Sequence, residues 1–267
     1  MKAKKNISIA VLSVMVILFL AGVIVKVATK TINTIAVQEA DGDSYSGSSG
    51  GAETGEDSGI QEKKKVALTF DDGPDDEYTP MLLDGLAERN VKATFFVIGR
   101  EDEFTKKMYR RIVSEGHTIG MHSYSHIYTQ IYGELKEFKK DFVKLSDLIF
   151  DVTGVRSTYY RFPGGSSNTV NQNPIEEYKT FFTEQGVTYM DWNVIAANGT
   201  SDNVSKKDMV QSVIDGAAQY DTSIVLLYDS ADKRMTAKSL GAIIDRLRAE
   251  GYEILPIDAS TTPVQHS

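Results

Sequence analysis

Two acids stand side by side in the run TFDDGP, where Asp71 and Asp72 close an apolar stretch before a Gly-Pro turn. A turn needs only one such residue, and adjacent like charges repel, so the pair suggests two separate tasks. Further along, GMHSYSH places His122 and His126 four residues apart. At that spacing two imidazoles share a helix or turn face and can grip one metal ion. The chain has four histidines, His117, His122, His126 and His266, so two at ligand spacing after an apolar run is a concentrated signal. Taken alone, either set reads equally well as a polar turn; taken together they favour a metal site. Cysteine is absent, which excludes thiolate ligands, disulfides and Cys nucleophiles and leaves imidazoles and carboxylates to hold a cation.

One carboxylate and two neutral imidazoles leave a coordination position open, as catalytic Zn²⁺ sites do for a water. A cation there lowers the pKa of that water toward ~7 and polarises a carbonyl, and the spare acid can take the proton. The cation also offsets the repulsion between the two acids. Three further clusters accompany this one. RFPGG, from Arg161 to Gly165, joins an Arg able to keep a buried carboxylate ionised to glycines whose backbone can approach an oxyanion. A surface Arg before a Pro-Gly turn is the plainer account of the same residues. DWN carries Asp191 and Trp192, the one Trp of the chain, and a lone Trp is more often core than site. LLYDS, from Leu226 to Ser230, contains Tyr228.

Alternating elements must position these groups. Short apolar runs predict strands over 66–70, 93–98, 117–121, 158–162, 188–192, 224–228 and 252–257. Helical periodicity predicts helices over 79–89, 104–115, 133–153, 175–185, 206–219 and 237–250. Strands that alternate with helices pair in parallel, because each return crossover needs a helix. An open doubly wound sheet and a barrel both satisfy that pattern. The chemical clusters lie at the C-terminal ends of the expected strands, where barrel enzymes build their active sites.

The N-terminal region has a different character. Residues 7–25, ISIAVLSVMVILFLAGVIV, form an uncharged apolar run close to the ~20 residues a membrane-spanning helix needs. Lys2, Lys4 and Lys5 precede it and Lys26 and Lys30 follow, and the positive-inside rule favours a cytoplasmic N-terminus with the remainder outside. A cleaved signal peptide is the competing reading. The run is longer than a usual signal-peptide core and no clean A-x-A site follows, so residues 1–30 are expected to be an uncleaved anchor. Residues 31–64 are rich in Gly, Ser and acids and are expected to be a disordered tether. That leaves one domain over 65–258 and a tail over 259–267 in a chain of 267 residues. The net charge of −8 argues against a general nucleic-acid binder.

From about Val66 to Asp258 the chain resembles the polysaccharide deacetylases of carbohydrate esterase family 4, the NodB-homology domain. TFDDGP, then HSYSH after a strand, then RFPGG carry the resemblance. It implies a distorted (β/α)7 barrel and metal-dependent removal of acetyl groups from N- or O-acetylated glycans. It also implies that Asp71 is the catalytic base and that Asp72, His122 and His126 hold a divalent metal. Zn²⁺ is the first choice for that donor set, with Co²⁺ or Mn²⁺ also acceptable. By the same resemblance Arg161 orients the base, the N–H of Gly164 faces the oxyanion, Asp191 supports the catalytic acid and Trp192 lines the pocket. The family often has an aromatic residue where Gly164 stands, so one wall of the groove is expected to be more open.

The last motif departs from the family. The family places a His after the sixth strand in an L-x-H-D context, and here Tyr228 takes that position. A phenol near pKa ~10 is a weaker acid than an imidazole near ~6.5, and loss of a matched general acid costs ~10²–10⁴ in rate. The chain is therefore expected to be a slow or specialised deacetylase in which Tyr228 or a water donates the proton. An O-acetyl esterase and a glycan-binding homologue with impaired turnover are the alternatives. The anchor points to a polymer near the cell surface, peptidoglycan with its N-acetylglucosamine and N-acetylmuramic acid residues. The expected location is the cell membrane with the catalytic domain outside, or the secreted fraction if the N-terminal segment is cleaved.

Overall fold

The computed structural model describes residues 63–171, 173–197 and 204–266. The apolar run 7–25 lies outside the described residues, as does the expected tether up to residue 62. Among the described residues no helix is long and apolar enough to cross a membrane.

Strand β1, Lys65–Asp71, sets the frame. Successive side chains of a strand point to opposite faces. Val66, Leu68 and Phe70 accordingly join the main core, while Ala67 joins a second, smaller cluster on the other side. Thr69 and Asp71 share the parity of Ala67, so the first acid of the pair is turned toward the interior of the sheet's curve. The second acid falls just beyond the strand.

The elements then alternate as α1 Tyr78–Glu88, β2 Thr94–Val97, α2 Glu103–Ser114, β3 Thr118–Met121, α3 Tyr128–Ile131, α4 Leu135–Thr153 and β4 Tyr159–Tyr160. They continue with α5 Ile175–Gln185, β5 Thr188–Tyr189, β6 Val194–Ile195, α6 Lys206–Ala217, β7 Thr222–Tyr228, a 3₁₀ turn Ala231–Lys233, α7 Met235–Ala249 and β8 Glu253–Ile254. Local chemistry marks several ends. The Asp102 carboxylate accepts the Thr105 N–H at 2.9 Å to start α2, Ser205 Oγ accepts the Asp208 N–H at 3.1 Å to start α6, and Gly154 at φ 74° ends α4.

All recorded pairings are parallel, in the order β5-β4-β3-β2-β1-β7-β6, with β8 paired to the first residues of β1. β5 and β6 are consecutive in the chain yet stand at opposite ends of that order. Residues 190–193 alone join them, a reach of at most ~18 Å. The edges of a flat seven-strand sheet would be ~29 Å apart. The sheet must therefore curl until its edges approach, giving a parallel half-barrel consistent with a distorted (β/α)7 barrel.

Helix limits match expectation to within two residues. The differences are at short elements: β6 and α3 were not expected, since two and four residues carry no readable period. The expected strand 188–192 pairs only over Thr188–Tyr189, because the chain leaves β4 there to cross to β7. Residues 259–266, set apart as a tail by the sequence, run back to that seam. There Val264 O accepts the Asp191 N–H at 2.7 Å.

Candidate metal centre

Asp72 leaves β1 with φ 75°, in the left-handed region that an L-residue enters at a cost. Next to it, a Cβ on Gly73 would lie 2.1 Å from Asp229 Oδ2, so only glycine lets the loop pass. This turn swings the Asp72 carboxylate toward the loop after β3. In that loop Ser123 and His126 also have positive φ, 77° and 52°. The expected helix or turn face is a tight turn, stapled from outside by one carboxylate. Asp141 on α4 accepts the Tyr124 N–H at 2.7 Å and the Ser125 N–H at 2.8 Å, and Ser123 Oγ accepts the His126 N–H at 2.9 Å.

The result is convergence. Asp72 Oδ1 lies 3.4 Å from His122 Nε2 and 3.3 Å from His126 Nε2. One donor atom from each of the three residues falls within 4.8 Å of the others. His122 Nδ1 is 2.8 Å from the Arg161 carbonyl, which can only accept, so Nδ1 carries the proton and a neutral ring offers its Nε2 lone pair to the cluster. The residues present fit a divalent cation: one oxygen and two nitrogens share a small volume, with one imidazole held in the ligating tautomer. Nitrogen and oxygen donors of this kind suit Zn²⁺, Co²⁺ or Mn²⁺.

Asp71 adjoins the cluster, with Oδ2 3.9 Å from His122 Nε2. Its other oxygen accepts from Arg161 Nη1 at 2.8 Å. Arg161 is fully buried and none of its groups is wasted: Nη1 also reaches Thr69 Oγ1 at 2.6 Å, Nε reaches Met190 O at 2.9 Å and Nη2 reaches Asp191 O at 2.8 Å. The Arg161–Asp71 pair implied by the family resemblance is thus present in the interior of the half-barrel.

The charges in this cluster strongly affect one another. Burial pushes the Asp71 carboxyl above its ordinary pKa and Asp72 adds to that, while Arg161 and His122 pull it down without cancelling the rise. For Asp72 burial acts upward too, but His122, His126 and Lys233 outweigh it and its pKa is lowered. Burial disfavours a charged His122, yet the two carboxylates prevail and raise it; for His126 burial and the neighbouring His122 prevail and lower it.

Tyr228 ends β7 in register with Asp71 on β1, beside the cluster. Burial, followed by Asp71 and Asp72, pushes its phenol up to about 12. The Lys233 ammonium stands 5.8 Å from the Tyr228 ring.

Gly164 has φ 79° and Gly165 φ 85°, and a hydrogen bond from the Gly165 N–H to Phe162 O at 2.8 Å closes the turn. The wall beside Gly164 is not open as expected. A Cβ there would meet Tyr128 Oη at 3.1 Å, because Tyr128 from α3 occupies the space, stacked edge-on to His126 at 5.7 Å. Trp192 lies on the far side, 5.7 Å from the Arg161 guanidinium. The Asp191 carboxylate accepts the Ser166 N–H at 2.9 Å, the Ser166 hydroxyl at 2.5 Å and the His266 N–H at 2.8 Å.

Asp71, Asp72, His122, His126, Arg161, Tyr228 and Gly164 therefore form one mouth, and Asp191 and Trp192 line its flank. Sequence reasoning missed Tyr128, Asp141, Lys233 and His266. Only His266 carried a signal, as a histidine far from both motif and core.

The family model for polysaccharide deacetylases matches residues 58–180. A peptidoglycan-N-acetylglucosamine deacetylase of Bacillus cereus is 34% identical over 200 residues, which cover 75% of this chain and 69% of that protein. Peptidoglycan-N-acetylglucosamine deacetylase PgdA of Listeria monocytogenes is 35% identical over 196 residues, 73% of this chain but 38% of that protein's length. The crystal structure of the catalytic domain of a peptidoglycan N-acetylglucosamine deacetylase from Eubacterium rectale superposes with a TM-score of 0.72 at 36% identity, covering 77% of this chain and 93% of that one. The chain belongs to the polysaccharide deacetylase family of hydrolases.

Proposed function

We propose that this chain removes acetyl groups from peptidoglycan, with N-acetylglucosamine or N-acetylmuramic acid as the acetylated sugar. The observation that carries the reading is the Asp72–His122–His126 cluster with the Arg161-held Asp71 beside it. A divalent cation held by those three residues, Zn²⁺ in the first instance, would supply Lewis acidity to the acetyl carbonyl.

The protein's own groups divide the remaining work. Asp71 Oδ2 takes the proton from the attacking water, and its raised pKa makes it a stronger base than an ordinary carboxylate. Arg161 fixes the other oxygen, so the base keeps one direction. The Gly164 N–H donates to the developing oxyanion. Tyr128 and Trp192 form the walls that orient a sugar ring, since amphipathic aromatic faces pack against it. Relatives named for peptidoglycan N-acetylglucosamine support the substrate class. An N-terminal anchor over 7–25 would hold the domain outside the membrane, next to that polymer.

Acetate release from purified peptidoglycan tests the reading. Release is expected, lost on chelation and restored by Zn²⁺; no release from the metal-loaded chain would overturn it. The Tyr228 phenol, pushed up to about 12, favours a second reading, hydrolysis of O-acetyl esters, because an alcohol leaves with less need of a proton. The same assay on O-acetylated and de-O-acetylated peptidoglycan separates the two.

A further inference from the structure

The C-terminal segment makes contacts that the metal cluster does not use. After β8 the chain crosses the interior side: the Ile257 N–H donates to Thr94 Oγ1 at 2.9 Å and Thr118 Oγ1 donates to Ile257 O at 2.8 Å. Ile257 joins the interior cluster with Ala67, Phe96, Met190 and Ile224, and Val264 packs against it. The chain then fastens to the strip between β5 and β6 with four bonds in three residues. Asp191 N–H donates to Val264 O at 2.7 Å, and Gln265 Nε2 donates to Tyr189 O at 3.1 Å. His266 N–H donates to Asp191 Oδ2 at 2.8 Å, and His266 Nε2 sits 2.6 Å from Trp192 O.

This clamp orients one imidazole. A carbonyl only accepts, so Nε2 carries the proton and Nδ1 is the atom left to gain and lose one. The ring stands edge-on to Trp192, 5.0 Å between centroids at 84°. Its Nδ1 lies 3.9 Å from Asp191 Oδ2, and a Cβ on Gly165 would come within 3.6 Å of it. His266 therefore faces the turn that carries the Gly164 N–H, against a carboxylate that is itself fully buried. The side chain keeps 30% of its surface exposed, so the ring is not sealed in the core.

We infer that His266 is the proton donor to the leaving amine, supplied by the C-terminal segment from the Asp191–Trp192 wall because β7 ends in Tyr228. The inference rests on the deacetylase reading. In the step it describes, water adds its oxygen to the acetyl carbon and gives a proton to Asp71. The carbon–nitrogen bond then breaks, its electron pair stays on nitrogen, and nitrogen takes the proton from His266 Nδ1. Acetic acid and a free amine leave, and solvent returns the proton from Asp71 to His266. Asp191 acts as a positioning residue that holds the ring through the backbone N–H.

Leaving-group dependence tests this in the metal-loaded full chain. His266→Ala and His266→Gln are compared with the unmodified chain on N-acetylglucosamine tetramer and on an aryl acetate, whose phenolate departs unprotonated. Both variants are expected to lose ~10²–10⁴ in kcat on the acetamide and less than about tenfold on the aryl ester. Retained ester cleavage also shows that the variants fold. Amide turnover within about threefold of the unmodified chain, or equal losses on both substrates, overturns the inference. An unmodified chain that cleaves the ester but no acetamide also overturns it, by moving the substrate to O-acetyl groups. Acetate release from neither substrate brings down the deacetylase reading itself.

Discussion

The two flanks of the mouth are built in opposite ways. On the β1–β3 flank, the reacting groups hang from strands that pair with one another over three or four residues. Each sits within five residues of a strand end, and positive-φ turns at Asp72 and His126 aim it. On the β5–β6 flank the strands are two residues long and unpaired with each other, and a segment some seventy positions distant fills the seam. The first flank is rigid because backbone ladders hold it. The second depends on a handful of side-chain and tail contacts, and regions with few such bonds open at low free energy. The proposed cation ligands and base thus belong to the firm side, and the tail imidazole to the side that can loosen.

Substitutions can break this contrast at either flank. The largest effect is expected from Asp71→Asn, which keeps the shape but removes the base. Turnover should fall ~10²–10⁴-fold while metal content, read by elemental analysis, is unchanged. Loss of metal along with activity would mean that Asp71 belongs to the ligand set instead.

Arg161→Met tests whether one buried group joins the flanks, since its guanidinium bonds Asp71 on one side and the carbonyls of Met190 and Asp191 on the other. Removing it leaves Asp71 buried without its partner, at a cost of about 3–5 kcal/mol in denaturant unfolding. A loss below about 1 kcal/mol would show that the two flanks are stabilised independently.

Asp191→Asn should act on the seam alone. The carboxylate oxygen that takes both the His266 N–H and the Ser166 hydroxyl would become an amide donor in one of its two orientations, a loss of about 1–3 kcal/mol. Hydrogen exchange is expected to quicken at His266 while the loop of His122 and His126 keeps its protection. Equal quickening in both places would erase the distinction between the flanks.

The smallest effect is expected away from the mouth, before β3. His117 Nδ1 accepts the Ala93 N–H at 3.1 Å, and burial, helped by Lys92, lowers its pKa to about 4. Between the unfolded value near ~6.5 and about 4, the unfolded chain binds the proton that the folded ring refuses. Its contribution is complete above that window and is lost as pH falls through it. Thermal melts of His117→Gln should flatten this acid slope without changing acetate release at neutral pH.

Much of the firm flank was legible in the sequence. Asp71 ends β1 and Asp72 follows it, where the sequence placed the two acids at the close of an apolar run; the parity that turns Asp71 inward came with the strand itself. His122 and His126 are local in sequence, and a cluster set by nearby residues survives small errors in strand limits. Arg161 was legible as a residue type suited to a buried carboxylate, and only the family resemblance, not the residue type, named Asp71 as its partner. The open wall expected at Gly164 was wrong because Tyr128, thirty-six positions earlier, fills it, and no periodicity links the two. Asp141 lies in the expected helix 133–153 and staples the histidine loop, a contact that helical periodicity does not mark.

Local order determined the strand–helix alternation, the pair of acids, the histidine spacing and the lack of an imidazole at Tyr228. These depend on covalent neighbours and side-chain period, which a chain carries before it folds. Curling decided the rest: it brought the edges β5 and β6 together, left a gap between them and gave the C-terminal segment a place to lie. Contacts across 75 residues form only when the chain closes on itself, so no reading of neighbours could place His266 against Asp191.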